Sequence, residues 1–266
     1  MKYGVSQDAR PQAMTLLFAA GLSIALWFIP FAEILSYPFR IFVTFIHEGG
    51  HAVAALLTGN SVQSLSVAMN ASGETYTTQG GMFSRMLVSS AGYLGAMSFG
   101  ALLLVLIRKA VSARIVLAGS ALLILLLTTV FGLINPMIVG AWRSLNGIPF
   151  TFFAGIVLAV GLFAVARFAS SRVATFVLSL LAVQCVLNAL LDLKTVFFLS
   201  SRFAPAVPTD AANMALATGI PAVIWTILWI VLAFGILMLA LRFYVAARER
   251  AFEAKKDFSF EQNVEA

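Results

Sequence analysis

The feature that most constrains this chain is a succession of apolar segments, each about as long as a bilayer is thick, separated by short polar gaps. They run over 12–30, 38–59, 83–107, 113–134, 148–167, 173–200 and 219–242. In hydrocarbon no water satisfies backbone polar groups, so a crossing segment must be a helix of about 20 apolar residues that satisfies its own. Soluble domains carry about a quarter charged residues, whereas here only 11% of 266 residues are charged and 61% are hydrophobic. The sequence predicts one all-α polytopic membrane domain over 1–242 with about seven transmembrane helices, then a polar C-terminal tail over 243–266. The first apolar run ends in Trp27-Phe28-Ile29-Pro30 with no small-residue cleavage site, and reads as a retained helix rather than a secretory leader.

One stretch breaks the pattern. From Ser61 to Gly81 the chain turns polar and β-leaning: Val62, Leu65, Val67 and Met69 precede Asn70-Ala71-Ser72-Gly73, and Thr75-Tyr76-Thr77-Thr78 follow. This predicts a β-hairpin with a longer turn between the second and third helices, or else a plain polar loop. The connection 135–146, with Pro136, Gly140, Trp142 and Arg143, suggests a re-entrant or interfacial stretch. Residues 204–218 suggest a short interfacial helix capped by Thr209 or Asp210.

The formal net charge is +6, but the basic residues stand singly or in pairs at the ends of apolar runs, without a basic-aromatic patch. That distribution anchors a protein in the lipid bilayer and argues against nucleic acid. Cys185 is the only cysteine and lies in an apolar helix, which excludes a disulfide framework and a thiolate metal site and makes it a small core residue.

Between Pro11 and Tyr244 the acidic residues are Glu33, Glu48, Glu74, Asp192 and Asp210. Glu33, Glu74 and Asp210 fall in loops or interfaces; Glu48 and Asp192 lie deep in apolar helices. An acidic group at the bilayer centre costs about 2.5–3.5 kcal/mol on insertion scales, which makes such a residue a functional candidate. The chain has two histidines, His47 and His51, four apart with Glu48 directly after the first. On a helix that spacing puts both imidazoles on one face, where they can share a metal ion, and Glu48 can act as general base on water: the H-E-x-x-H arrangement of zinc metalloproteases. Catalytic zinc takes three protein ligands and an open position. Asp192, the other intramembrane carboxylate, is the natural third ligand, unless it pairs with Lys194 or a helix end. Asn188 and Gln184, one and two turns earlier, form a polar stripe that either orients the carboxylate and substrate or joins helices. The small-residue run Ser89, Ser90, Ala91, Gly92, Gly95, Ala96 and Gly100 suits close helix packing.

The second and sixth helices are separated by an even number of crossings, so their C-terminal halves, with His47–His51 and Asp192, lie on one side of the bilayer. Eleven of the seventeen Lys and Arg residues fall opposite that side, which by the positive-inside rule places the site nearer the non-cytoplasmic face.

At these residues the chain resembles the site-2 protease family of intramembrane metalloproteases, in its compact bacterial and plant forms without a PDZ domain. The resemblance covers His47 to His51, the hairpin, the Ala91-Gly92-Tyr93-Leu94-Gly95 segment and Ala189-Leu190-Leu191-Asp192-Leu193. It implies that His47, His51 and Asp192 hold Zn2+, that Glu48 is the catalytic base, and that the centre lies near the cytosolic side, opposite to the charge count. The family's second motif reads Asn-x-x-Pro-x-x-x-Leu-Asp-Gly; here Gln184, Leu187 and Leu193 stand at the Asn, Pro and Gly positions. The expected reaction is endopeptidase cleavage in or near a transmembrane segment of another membrane protein, in a bacterial plasma membrane. A strand of the hairpin would hold the unwound substrate by β-augmentation, which proline at Val67 or Thr77 would interrupt. The alternatives are a catalytically silent scaffold of the same fold and a metal or proton transporter using the same polar residues.

Overall fold

The computed structural model describes residues 10–26, 28–29, 33–78, 80–140, 147–200 and 208–246. Helices α1 (Arg10–Ala25) and α2 (Glu33–Leu57) precede a hairpin of β1 (Val62–Val67) and β2 (Gly73–Thr77). Then follow α3 (Met82–Arg108), α4 (Ala113–Leu126), a π-helical segment (Leu127–Ile134), α5 (Asn135–Val139), α6 (Ile148–Phe168), α7 (Ser171–Leu199), α8 (Asp210–Thr218) and α9 (Ala222–Ala246).

All seven apolar segments fall on helices, but among the described residues five spans are long and apolar enough to cross a membrane: α3, the continuous Ala113–Val139 rod, α6, α7 and α9. Two expected crossings differ for physical reasons. Helix α1 has 16 residues, about 24 Å at 1.5 Å per residue, short of a hydrocarbon core of about 30 Å. Helix α2 carries Glu48 and both histidines in its C-terminal half, polar groups that are costly against lipid. The first five residues of the predicted re-entrant connection instead continue the Ala113–Val139 rod, which Gly140 ends at φ 64°. Its remainder at 141–146, and the tail from 247 onward, lie outside the described residues.

Helix α2 forms the inner wall of the fold. It packs on α3, on both strands of the hairpin and on α7, while α3 also meets α7, α8 and α9. Small residues set the α2–α3 distance: a Cβ on Gly50 would collide with the Ala91 carbonyl. At Gly100 a Cβ would stand 3.0 Å from the side chain of Cys185, which is fully buried. This is the close backbone approach expected of the small-residue run.

The hairpin is antiparallel, with Leu65 opposite Thr75 and Ser66 opposite Glu74, and the chain turns through 68–72. Strand β1 is the buried member, with Val62, Leu65 and Val67 inside. Its outer edge is covered. The Val67 N–H donates to Thr151 Oγ1 at 2.8 Å, and Asn135 Nδ2 donates to the Val62 carbonyl at 3.0 Å. An added strand therefore has only β2 to pair with.

Helix α8 forms where the chain re-enters between α7 and α9. The Thr209 hydroxyl accepts from Ala212 N at 3.1 Å, satisfying one of the first-turn donors. Gly219, at φ 74°, closes the other end, a left-handed position that glycine adopts without a Cβ clash. Ala211 and Met214 are buried, and Trp225 Nε1 donates to Thr218 Oγ1 at 3.0 Å, tying α8 to α9.

Helix α6 meets the rod closely at Gly155, where a Cβ would collide with the Thr128 side chain, whereas Gly161 has open space. Ala for Gly inside a helix normally stabilises by about 0.5–1 kcal/mol, but overpacking costs about 1–3 kcal/mol. Gly155→Ala is expected to lower the thermal midpoint in detergent, and Gly161→Ala to hold or raise it; equal effects would show that this contact does not constrain packing.

Candidate metal centre

The site is built on the inner face of α2. The i, i+4 spacing brings the His47 and His51 Nε2 atoms to 3.1 Å of each other. Ring orientation is set from α3. His51 Nδ1 lies 2.6 Å from the Val88 carbonyl oxygen; a carbonyl only accepts, so Nδ1 carries the proton and Nε2 of the neutral ring presents a lone pair. Tyr93 packs edge-on against His47, ring centres 4.6 Å apart, and its other side meets Trp229 at 5.5 Å. Trp229 Nε1 donates to Ser90 Oγ at 3.0 Å.

Glu48 is buried, at 4% exposure. The hairpin reaches it: Thr75 Oγ1 donates to Glu48 Oε2 at 2.6 Å and lies 3.3 Å from the Glu48 carbonyl oxygen. Gly73 makes this approach possible, since a Cβ there would collide with the Glu48 carboxylate. His47, Glu48 and His51 each offer a ligand atom within 4.8 Å of the others.

A further carboxylate is closer. Asp210, the first residue of α8, places Oδ2 3.4 Å from Nε2 of His47 and 3.4 Å from Nε2 of His51. Tyr93 lies within electrostatic range of it. Burial alone would raise the Asp210 pKa, but the charge of His51 and the contacts with both imidazoles outweigh it and hold the carboxyl below the usual range.

The donor set can be tested against zinc. Bond lengths of about 2.0–2.2 Å in a tetrahedral site imply ligand atoms about 3.3–3.6 Å apart. The observed separations of 3.1, 3.4 and 3.4 Å lie close to that range, and the atoms are two imidazole nitrogens and a carboxylate oxygen, ligands zinc takes. The residues fit the group.

The other residues singled out in the sequence lie elsewhere. Asp192 is exposed on α7, and among the described contacts it makes no hydrogen bond to either imidazole; it lies within electrostatic range of His47 and Arg40. Gln184 is buried and donates to Ser23 Oγ on α1 at 3.1 Å, while Asn188 Nδ2 donates to the Gln184 carbonyl and to Gln184 Oε1 at 2.8 and 2.9 Å. That polar stripe joins α7 to α1 rather than facing the imidazoles. Sequence reasoning passed over Asp210 because it stands outside the apolar runs. It also passed over Thr75 and Tyr93, whose roles depend on contacts across the fold.

These features define a polytopic membrane protein with a His-Glu-x-x-His cluster able to hold a metal ion. The chain belongs to the Peptidase M50B-like family, whose model matches residues 16–240. No curated protein and no solved structure matches it.

Gly92, on α3, lies directly against the pair: a Cβ there would collide with Nε2 of both His47 and His51, whereas at Gly95 it would meet only the Gly50 Cα at 3.4 Å. Gly92→Ala is therefore expected to abolish stoichiometric zinc binding and Gly95→Ala to preserve it. Metal analysis of the purified proteins decides the matter.

Proposed function

We propose that the protein is a zinc-dependent intramembrane endopeptidase that hydrolyses peptide bonds in or near transmembrane segments of other membrane proteins. The observation that carries this reading is the convergence of His47 and His51 beside the buried Glu48, in a chain of the Peptidase M50B-like family. Its five apolar spans put such a centre within reach of membrane-embedded substrates. His47 and His51 supply two ligands and a carboxylate the third. Zinc held there supplies Lewis-acid polarisation and lowers the pKa of water.

The chain's own residues supply the proton chemistry and the positioning. Glu48 takes a proton from the attacking water and passes it to the leaving amine, the two halves of general acid–base catalysis. Thr75, donating to Oε2, fixes one oxygen and leaves the other for the proton. Burial of Glu48 among apolar helices excludes bulk water from the exchange.

A substrate helix hides its carbonyls in internal hydrogen bonds and must unwind to be cut. Strand β2 is the edge suited to hold the unwound segment, since β1 is covered by Thr151 and Asn135. Thr78 N donates inward to Ser61 O, so alternation turns the N–H groups of Thr75 and Thr77 outward. Thr77→Pro removes one outward donor without breaking the hairpin ladder. It is expected to slow cleavage of a transmembrane substrate while zinc content stays stoichiometric, and unchanged cleavage would rule out strand addition at β2.

Removing a general base costs about 10²–10⁴-fold in rate. Purified Glu48→Gln is expected to bind zinc like the wild type and to lose cleavage of a reconstituted model transmembrane substrate by that factor. Cleavage surviving in Glu48→Gln would refute the assignment; zinc without cleavage in either protein would favour a silent scaffold.

A further inference from the structure

We propose that Asp210, not Asp192, is the third protein ligand of the metal centre, an assignment that rests on the reading of His47 and His51 as a zinc pair. The first argument is geometric. Asp210 Oδ2 is equidistant from the two Nε2 atoms, 3.4 Å from each, and the nitrogens are 3.1 Å apart. This nearly equilateral triangle has the edges of one face of a tetrahedral zinc site, about 3.3–3.6 Å.

The second argument is the proton inventory. His51 spends its Nδ1 proton on the Val88 carbonyl, so its Nε2 faces the others as an acceptor. With the His51 ring neutral, its Nε2 lone pair and the carboxylate oxygen both turn toward His47 Nε2, a cluster that positive charge, whether a metal ion or a proton, satisfies. Asp192 has no such contact with the pair. It is exposed on α7 and acts on His47 only through space.

The third argument is that the surroundings are built to hold Asp210 in place. Tyr93 stands within electrostatic range of Asp210 while its ring packs on His47. Behind Asp210 stand the Thr209 cap and the buried Ala211 and Met214. Nine residues of α8, outside the five spans, then have one structural purpose: to carry a carboxylate to the imidazole pair from between α7 and α9. Docking of α8 on α3 completes the centre, and α7 does not contribute a ligand.

The test compares zinc affinity, by chelator competition, in the full-length wild type and in Asp210→Ala, Asp210→Asn, Asp210→His and Asp192→Ala, with the visible spectrum of the cobalt-substituted proteins as a second readout. Loss of an outer hydrogen-bonding partner already costs about 10–100-fold in metal affinity, so Asp210→Ala and Asp210→Asn are expected to weaken zinc by more than about 100-fold. Asp192→Ala is expected to keep the wild-type affinity and cobalt spectrum. Asp210→His supplies a replacement ligand and is expected to bind more tightly than Asp210→Ala, which separates loss of a ligand from loss of the fold. Wild-type affinity in Asp210→Ala and Asp210→Asn, or loss of zinc in Asp192→Ala alone, overturns the assignment. A wild type that binds no zinc overturns the zinc reading itself, and this assignment with it.

Discussion

Two imidazole nitrogens and a carboxylate oxygen, all within 3.4 Å of one another, make an arrangement that calls for positive charge among them, a metal ion or a proton. In a low-dielectric interior that demand is felt far more strongly than in water. Much of the surrounding structure serves to hold these atoms together. The Val88 carbonyl fixes the tautomer of a neutral His51, Tyr93 packs on His47, and Gly92 leaves the imidazoles the room a side chain would take. A third helix, α9, supports Tyr93 through Trp229.

The same constraint explains why α2 is the inner helix. Two histidines and a glutamate on one helix are costly against lipid, and α2 packs on α3, α7 and the hairpin. The hairpin in turn is neither free nor decorative. Strand β1 is stitched to the rod and α6 through Asn135 and Thr151, which leaves β2 to touch Glu48 through Thr75 on one side and to offer an edge on the other. Glu48 and strand β2 are therefore joined mechanically through Thr75.

Much of this was legible in the residues. Apolar segment length marked every long helix, because the lipid requirement acts locally on about 20 consecutive residues. The alternation from Val62 to Val67 and the turn residues after Met69 marked the hairpin, and the short helix capped at Thr209 was visible from its cap and apolar pattern. His47, Glu48 and His51 were readable because the i, i+4 relation is contained within a single helix. The contact of Asp210 with both imidazoles was not, because depth in an apolar run singled out Asp192 and set Asp210 aside. Polarity of the local sequence does not report which loop helix folds back onto α3. Gln184 and Asn188, read from the sequence as a stripe that either orients the carboxylate or joins helices, bind each other and Ser23 of α1. Of the seven expected crossings, α1, at 16 residues, and α2, with its histidines and Glu48, are not among the five spans long and apolar enough to cross a membrane.

The most direct measurement of the central claim is zinc K-edge X-ray absorption on the purified full-length protein. The account predicts one zinc per chain with a nitrogen and oxygen shell at about 2.0–2.2 Å and the outer-shell scattering of two imidazoles. Absence of zinc, a shell with fewer than two imidazoles, or a sulfur ligand at about 2.3 Å would contradict it.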